Sequence, residues 1–266
     1  ETGEGRVVAD DWDRWGHPVA ISPDNTTGYV VADEDGAAPV FSVDLGSGEV
    51  RRLTQEGAHS SVLRSPDGAT LYALRSSYAN PGDIVAIDVA SATSRVLPSP
   101  VSYPELPGRI ERVETQASDG TRVPGWLILP EGASEADPAP LTLWVHGGPL
   151  GSWNAWSWRW NPWLAVARGY AVLLPDPALS TGYGRAFIQR GWGAWGDAPF
   201  TDLMAATDAA EARDDVDASR TAAMGGSFGG YMANWVAGHT DRFRAVVTHA
   251  SLWALDQFGP TTDMSS

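Results

Sequence analysis

Six consecutive residues, Gly225-Gly226-Ser227-Phe228-Gly229-Gly230, restrict the fold of this chain more than any other pattern in it. They join an apolar segment predicted to be a strand, residues 221–224, to a segment with helical spacing, residues 229–237. Glycines on both sides of a serine let the chain turn tightly and leave the hydroxyl clear of the sheet. The pattern therefore predicts a strand, a sharp turn and a helix, with Ser227 at the position of a nucleophile.

The sequence around this turn alternates between strands and helices. Four short apolar segments are predicted to be strands buried on both faces: 141–145, 171–174, 221–224 and 245–248. Helices are predicted at 162–168, 201–213 and 229–237, and a hairpin at 110–116 and 123–129 around Asp119-Gly120. This alternation predicts a doubly wound and mostly parallel sheet. Together with the turn at Ser227 it predicts an α/β hydrolase, which we expect to be truncated at its C-terminal side.

The first hundred residues contain a repeat. Ser22-Pro23-Asp24 recurs 43 positions later as Ser65-Pro66-Asp67, and Val43-Asp44-Leu45 matches Ile87-Asp88-Val89. Each copy is predicted to form a Ser-Pro-Asp turn followed by three short strands. A period near 43 residues indicates blades of a β-propeller, although two unrelated hairpins of an all-β domain would also fit. Since two blades cannot close a propeller, we expect the last blades of a domain that is cut at its N-terminal side.

Composition removes several classes of function. Asp and Glu number 33 against 18 Lys and Arg, the net charge is -15, and the sequence contains neither Lys nor Cys. This excess of negative charge argues against a nucleic-acid partner, and the missing side chains exclude Schiff-base, thiol and phosphate-loop lysine chemistry. No apolar run approaches the roughly 18 residues of a membrane span. We predict a cytoplasmic protein without cofactor or metal, whose oligomeric state the sequence does not reveal.

A second glycine-rich segment, His146-Gly147-Gly148-Pro149, directly follows the apolar strand 141–145. Acyl transfer produces a tetrahedral oxyanion, which needs two preorganised donors. The backbone N–H groups of Gly148 and Phe228 are the candidate donors. His146 precedes the nucleophile, so we interpret it as a structural histidine of the loop rather than as a base.

Several motifs together resemble the prolyl oligopeptidase family, most closely its branch of acylaminoacyl-peptidase and dipeptidyl-peptidase-like enzymes. They are His146-Gly147-Gly148-Pro149, Ser180-Thr181-Gly182-Tyr183-Gly184, Gly193-Ala194-Trp195-Gly196, Asp202-Leu203-Met204, residues 225–232 and His239-Thr240-Asp241-Arg242-Phe243. The resemblance implies a serine peptidase that acts on short peptides, with a propeller that restricts access to the site. One departure lies at Pro177-Ala178-Leu179-Ser180, where many members have Arg-Gly before the Ser-Thr-Gly-Tyr-Gly run. Residues 1–107 are then a partial propeller of about two blades with a linker, and 108–266 the N-terminal part of the peptidase domain.

A serine nucleophile needs a histidine base that a carboxylate orients, and in this fold both follow the serine in sequence. Only His239 and His249 follow Ser227. In the family the acid and the base come from later strand ends, so we expect the triad Asp and His beyond Ser266 and an inactive chain as given. The alternatives left open are His249 as the base, an esterase on the same scaffold, and an inactive binding module.

Three other groups of residues have less specific interpretations. The tryptophans 153, 156, 158, 160 and 163 could line an apolar pocket or simply pack a loop on a helix. The acidic stretch 211–217 is interpreted as a solvated helix end rather than a metal site. Asp202 and Asp208 lie six positions apart, which does not favour a catalytic pair of carboxylates.

Overall fold

The computed structural model of the chain describes residue 3 and residues 5–103 and 105–262. The chain divides into two compact units. Unit 1 comprises Glu1–Glu105, Asn154–Arg159 and Thr181–Arg185, and unit 2 comprises Leu106–Trp153, Trp160–Ser180 and Ala186–Ser266.

In its described residues, unit 1 contains two four-stranded antiparallel sheets, each with its strands in sequence order. The first sheet consists of β1 (Gly16–Ile21), β2 (Thr27–Ala32), β3 (Val40–Asp44) and β4 (Val50–Arg52). The second consists of β5 (Ala58–Arg64), β6 (Thr70–Ser77), β7 (Asn80–Asp88) and β8 (Thr93–Val96). Each sheet has one strand more than the three predicted, because a strand also precedes each Ser-Pro-Asp turn.

The two Ser-Pro-Asp turns are built by the same contacts. In the first turn the Ser22 hydroxyl donates a hydrogen bond of 2.6 Å to the Asp24 carboxylate, and in the second Ser65 donates one of 2.6 Å to Asp67. These hydrogen bonds from serine are the main reason why the pKa of each aspartate is lowered. The sequence repeat is therefore also a repeat of side-chain contacts. One turn joins β1 to β2, and the other joins β5 to β6 at the equivalent place of the second sheet.

Apolar side chains from both sheets form a shared core in unit 1. Its buried members are Tyr29, Val40, Leu53, Val62, Leu71, Ala73, Val85 and Ile87. Alternation along β6 decides which side chains take part: Leu71 is fully buried, whereas Tyr72 is 39% exposed. Strand β6 thus buries one face at Leu71 and Ala73, as period-two alternation requires.

The described part of unit 2 contains a six-stranded sheet with the order β14-β13-β11-β12-β10-β9. Its strands are β9 (Gly108–Gln116), β10 (Arg122–Pro130), β11 (Ala139–Val145), β12 (Ala171–Pro175), β13 (Val216–Gly226) and β14 (Ala245–His249). The neighbours from β12 to β14 pair in parallel, and β9 and β10 add an antiparallel edge. Strands β12 and β13 flank β11 on opposite sides, so the winding reverses there, and ligands bind at such a reversal in open α/β sheets.

Within the residues described, five helices connect or follow these strands: α1 (Trp163–Val166), α2 (Arg185–Gln189), α3 (Ala198–Glu211), α4 (Phe228–His239) and α5 (Leu255–Thr261). Helix α1 is shorter than the predicted 162–168: it ends at Val166, and soon afterwards Gly169 takes a φ of 86°, which no right-handed helix accommodates. Helix α3 begins three residues earlier than predicted and has a proline in its first turn, where the missing N–H costs nothing.

The prediction that residues 245–248 are buried on both faces is wrong. In β14 only Val246 is partly buried, and Val247 is 54% exposed. The physical reason is position: in the described sheet β14 is the outermost strand and pairs only with β13. By contrast, every residue of β12 is buried, since β12 lies inside the sheet and both α1 and α3 pack against it.

Among the residues that the structure describes, no helix combines the length and apolar character needed to cross a bilayer. The cytoplasmic location stays a prediction.

Candidate active site

Ser227 occupies the turn between β13 and α4 in a strained backbone conformation. Its φ is 57° and its ψ is -120°, the geometry of the first central residue of a type II′ turn, which favours glycine. A residue other than glycine in such a region costs on the order of 1–3 kcal/mol. The backbone N–H of Ser227 donates to the carbonyl of His249 at 3.0 Å, while its side chain is exposed. In the described part of the chain its hydroxyl makes no hydrogen bond, which leaves it available to a substrate.

The glycines beside Ser227 are required by close backbone contacts. A Cβ on Gly225 would lie 2.3 Å from the carbonyl oxygen of Gly229, and one on Gly229 would lie 2.2 Å from that of Val145. Both distances are far below any tolerable contact, so the start of α4 lies directly against β13 and the end of β11. From the sequence, these glycines are expected to allow a tight turn. The structure shows that they also allow the helix to pack closely against the strands.

The loop after β11, residues 146–150, runs beside residues 225–230, the predicted nucleophile turn, and is called the 146–150 loop below. A Cβ on Gly147 would lie 3.5 Å from Cβ of Ser227 and 3.2 Å from the carbonyl oxygen of Gly226. Gly148 has a φ of +127°, a region in which side chains are strained. Phe228 is the first residue of α4, where N–H groups lack an intrahelical acceptor. The two candidate oxyanion donors thus belong to adjoining segments.

His146 holds the 146–150 loop through both ring nitrogens. Nδ1 lies 2.6 Å from the carbonyl oxygen of Gly147, and Nε2 lies 2.9 Å from the Ser180 hydroxyl. A neutral ring that donates from Nδ1 accepts the Ser180 proton at Nε2. The ring is 8% exposed. These contacts support the interpretation of His146 as a structural residue.

Asp176 lies behind the same loop and was not singled out by the sequence. Its side chain is completely buried and accepts hydrogen bonds from the Ser152 hydroxyl at 2.7 Å and the Trp153 N–H at 2.9 Å. One of its carboxylate oxygens lies 3.7 Å from Nε2 of His146. A buried carboxylate requires such donors. The signal that could have revealed it is its place directly after the buried strand β12, at the carboxyl edge of the sheet.

Comparison with known proteins shows which family the residues around Ser227 match. Residues 156–264, which include the nucleophile turn, match the prolyl oligopeptidase family. These residues belong to the prolyl oligopeptidase family. The resemblance seen in the motifs is thereby confirmed.

Individual proteins are similar to almost the whole chain, and not only to residues 156–264. Dipeptidyl-peptidase 5 of Schizosaccharomyces pombe is 31% identical over 283 residues, which cover 99% of this chain and 40% of the relative. An acylaminoacyl peptidase of Pyrococcus horikoshii superposes with a TM-score of 0.84 at 22% identity, over 99% of this chain and 42% of that one. For a puromycin-hydrolysing peptidase of Mycobacterium tuberculosis the TM-score is 0.74 at 25% identity, over 93% and 38%. The α/β hydrolase fold of unit 2 is thus confirmed, and the chain spans about 40% of the length of the S. pombe relative.

In the prolyl oligopeptidase segment, Asp202 and Asp208 have separate partners. Asp202 is completely buried and receives two hydrogen bonds from the Arg190 guanidinium, at 2.8 and 2.9 Å, while Asp208 pairs with Arg242. Asp202 also accepts the N–H of Ala178 at 2.8 Å. It therefore fixes the segment that departs from the family pattern, where Leu179 has a φ of 84° at the place of the usual glycine.

The interpretation of residues 211–217 as a solvated helix end is wrong for two of its carboxylates. Glu211 pairs with Arg242 at 2.8 Å, and Asp215 pairs with Arg213 at 2.8 Å and with Arg109 at 2.6 Å. The hydrogen bond from Arg213 is the main reason why the pKa of Asp215 is lowered. Arginines distant in sequence supply part of this pairing, so the local acidic pattern could not reveal it.

The tryptophan cluster divides between the units. Trp156 and Trp158 meet edge to face in unit 1, with centroids 5.2 Å apart. In unit 2, Trp153 and Trp163 are buried, and the Trp160 ring lies 5.3 Å from the ring of His249. His249 thus faces an indole, and in the described residues no hydrogen bond joins its ring to Ser227.

Proposed function

We propose that the protein containing this chain is a serine peptidase that hydrolyses short peptides or N-acylated peptides through an acyl-enzyme on Ser227. The observation that carries the proposal is the exposed hydroxyl of Ser227 on a strained strand-to-helix turn, beside a loop with two glycines. The names of its relatives, dipeptidyl-peptidase and acylaminoacyl peptidase, agree with this substrate class.

The chemistry follows from the two segments. Oγ of Ser227 attacks the peptide carbonyl carbon, and the resulting oxyanion accepts hydrogen bonds from the N–H groups of Gly148 and Phe228. The positive end of the α4 dipole adds to this stabilisation. When the tetrahedral intermediate collapses, the C–N bond breaks, the amine takes the proton removed from Ser227, and an ester remains. Water then hydrolyses this ester and restores the serine.

The base and its orienting carboxylate are proposed to lie outside this chain, so the chain as given does not turn over substrate. Both ring nitrogens of His146 are engaged, and the rings of His239 and His249 face Trp235 and Trp160. The relatives are also long enough to supply further residues, since this chain spans about 40% of the S. pombe relative.

We further propose that residues 1–107 are two propeller blades with a linker, and that 108–266 are the N-terminal part of the peptidase domain. The two four-stranded sheets with repeated turn contacts support the first assignment. Strands β9 to β14 with α4 support the second.

The test is covalent labelling. A fluorophosphonate should modify Ser227 in the protein made from the longest reading frame that contains this chain, and Ser227→Ala should abolish the adduct. The chain alone should show no turnover. A folded long protein without an adduct at Ser227 would contradict the peptidase proposal, and turnover by the chain that Ser227→Ala abolishes would make His249 the base.

Substrate comparison separates peptidase from esterase. A peptidase should hydrolyse acyl-amino-acid anilides, whereas an esterase should cleave only short-chain esters, because an anilide leaving group is harder to expel.

A further inference from the structure

A crevice of about 640 Å³ lies in unit 2 beside the 146–150 loop. The loop contributes Pro149 and Leu150, the segment before α3 contributes residues 192–197, and α4 contributes Tyr231 and Trp235. All three segments lie at the carboxyl end of the sheet, where open α/β sheets bind ligands. The function proposed above does not use this crevice.

Four aromatic residues contribute to its wall: Trp192, Trp195, Tyr231 and Trp235. Trp192 is 58% exposed, while Trp195 and Trp235 are half-buried and Tyr231 is buried. The ring of Trp195 lies 5.6 Å from that of Tyr231, and Tyr231 lies 6.0 Å from Trp235. The faces and edges of four rings therefore border one open space.

The crevice is adjacent to the nucleophile turn through Phe228. The ring of Trp195 meets the ring of Phe228 edge to face at 5.1 Å. Phe228 directly follows Ser227, and Pro149 directly follows Gly148, so the crevice borders the segments of both candidate oxyanion donors.

Asp197 is the charged residue among the described residues that line the crevice. It is the N-cap residue of α3, but its side chain makes no capping hydrogen bond, and within the described part of the chain its carboxylate has no hydrogen bond or ion pair. Burial and, secondly, the charge of Asp197 raise the pKa of the Tyr231 hydroxyl. The carboxylate and the aromatic rings thus line the same crevice.

This combination favours one class of ligand. Aromatic faces attract cations through their quadrupoles, and an unpaired carboxylate adds a full negative charge. Among the described residues no Arg lines the crevice, and the net charge of -15 repels anions while it raises the local concentration of cations.

We propose that this crevice binds an organic cation of the substrate, an ammonium or guanidinium group. The inference rests on the proposed peptidase function, because it makes the crevice a specificity site next to Ser227. A peptide can supply the cation from its free N-terminus or from a basic side chain, and the experiment distinguishes these sources.

Binding to the chain itself provides the test, since it needs no turnover. Calorimetric titration compares three peptide amides: Ala-Phe-amide with a free N-terminus, N-acetyl-Ala-Phe-amide, and N-acetyl-Arg-Phe-amide. At least one of the two cationic peptides should bind with a Kd about tenfold lower than that of the neutral peptide. The tighter of the two identifies the source of the cation.

Variants locate the effect. Asp197→Asn should remove the preference for the cation and leave neutral binding unchanged, while Asp214→Asn, which changes an exposed carboxylate outside the crevice, should keep the preference. Trp192→Ala should weaken cation binding several-fold. Because the Trp192 side chain is largely exposed, this variant should fold like the unchanged chain.

Equal affinity for neutral and cationic peptides, or an unchanged preference in Asp197→Asn, would overturn the proposal. Fluorophosphonate labelling keeps the two proposals apart. Loss of labelling at Ser227 in the long protein refutes the peptidase, whereas the titrations decide the cation site.

Discussion

The nucleophile turn and the 146–150 loop lie side by side, yet they are held in place by different forces. Steric contacts of the backbone fix Ser227, since glycines at 225 and 229 allow α4 to lie against two strands. Buried hydrogen bonds fix the loop and the residues that follow it: His146 contacts Ser180, and Asp176 accepts from Ser152 and Trp153. Added volume should therefore damage the turn, and lost polarity should damage the loop.

The largest effect is expected at the turn. In Gly229→Ala the new methyl group would lie 2.2 Å from the carbonyl oxygen of Val145, so the free energy of unfolding should fall by about 3 kcal/mol. Gly238→Ala is the matched control in the same helix, because its Cβ would meet nothing within 4 Å. It should stabilise the chain by up to about 1 kcal/mol. Urea denaturation measures both, and equal effects would contradict the steric explanation.

At the loop, the expected loss is smaller. Asp176→Asn removes the charged acceptor of the Trp153 N–H and forces the Ser152 hydroxyl to turn and accept from the new NH₂ group, so stability should fall by about 2 kcal/mol. Asp241→Asn changes an exposed carboxylate and should stay within about 0.5 kcal/mol. If both variants unfold at the same urea concentration, buried polarity does not hold the loop.

The strain at Ser227 can be released. Ser227→Gly should raise the free energy of unfolding by about 1 kcal/mol, because glycine adopts a φ of 57° without penalty. Ser227→Ala keeps the strained φ and should leave stability nearly unchanged. Thermal unfolding of the pair tests this, and a gain in the alanine variant instead would place the strain in the side chain.

The carboxylate of Asp217, which is only partly buried, can be contrasted with the fully buried carboxylate of Asp176. Asp217 accepts hydrogen bonds from the hydroxyl and N–H of Ser219 and from Arg220, and the Ser219 hydroxyl is the main reason why its pKa is about 2. Since the folded pKa is depressed, the stability that this group contributes is present above about pH 4 and is lost as the pH falls towards about 2. Carboxyl NMR titration should find a midpoint near 2, and Ser219→Ala should raise it. An unchanged midpoint would reject this assignment of the cause.

Much of the site could be predicted because its signals are contiguous. The order of strand, turn and helix around Ser227, and the glycines that follow β11, are written into short runs of residues with strong backbone preferences. Asp176 could not be found in this way. Its donors lie 23 and 24 positions earlier, and they become its neighbours only because β12 and β11 are adjacent in the sheet.

The two repeats also show that a sequence pattern does not predict which side chains are buried. Tyr29 and Tyr72 occupy equivalent positions, but Tyr29 is 2% exposed and Tyr72 is 39% exposed. Tyr29 faces the core shared by the two sheets, whereas Tyr72 lies on the other face of β6 relative to Leu71.

The sequence by itself thus determined the local geometry of this protein: the strained serine turn, the two repeated Ser-Pro-Asp turns and the alternation of strands and helices. Only the tertiary structure decided which polar groups are buried together, that β14 is exposed, and that Asp197 meets an aromatic wall. The reason is physical. Turn and strand preferences act over a few bonds, whereas burial and charge pairing depend on neighbours that chain folding brings from far along the sequence.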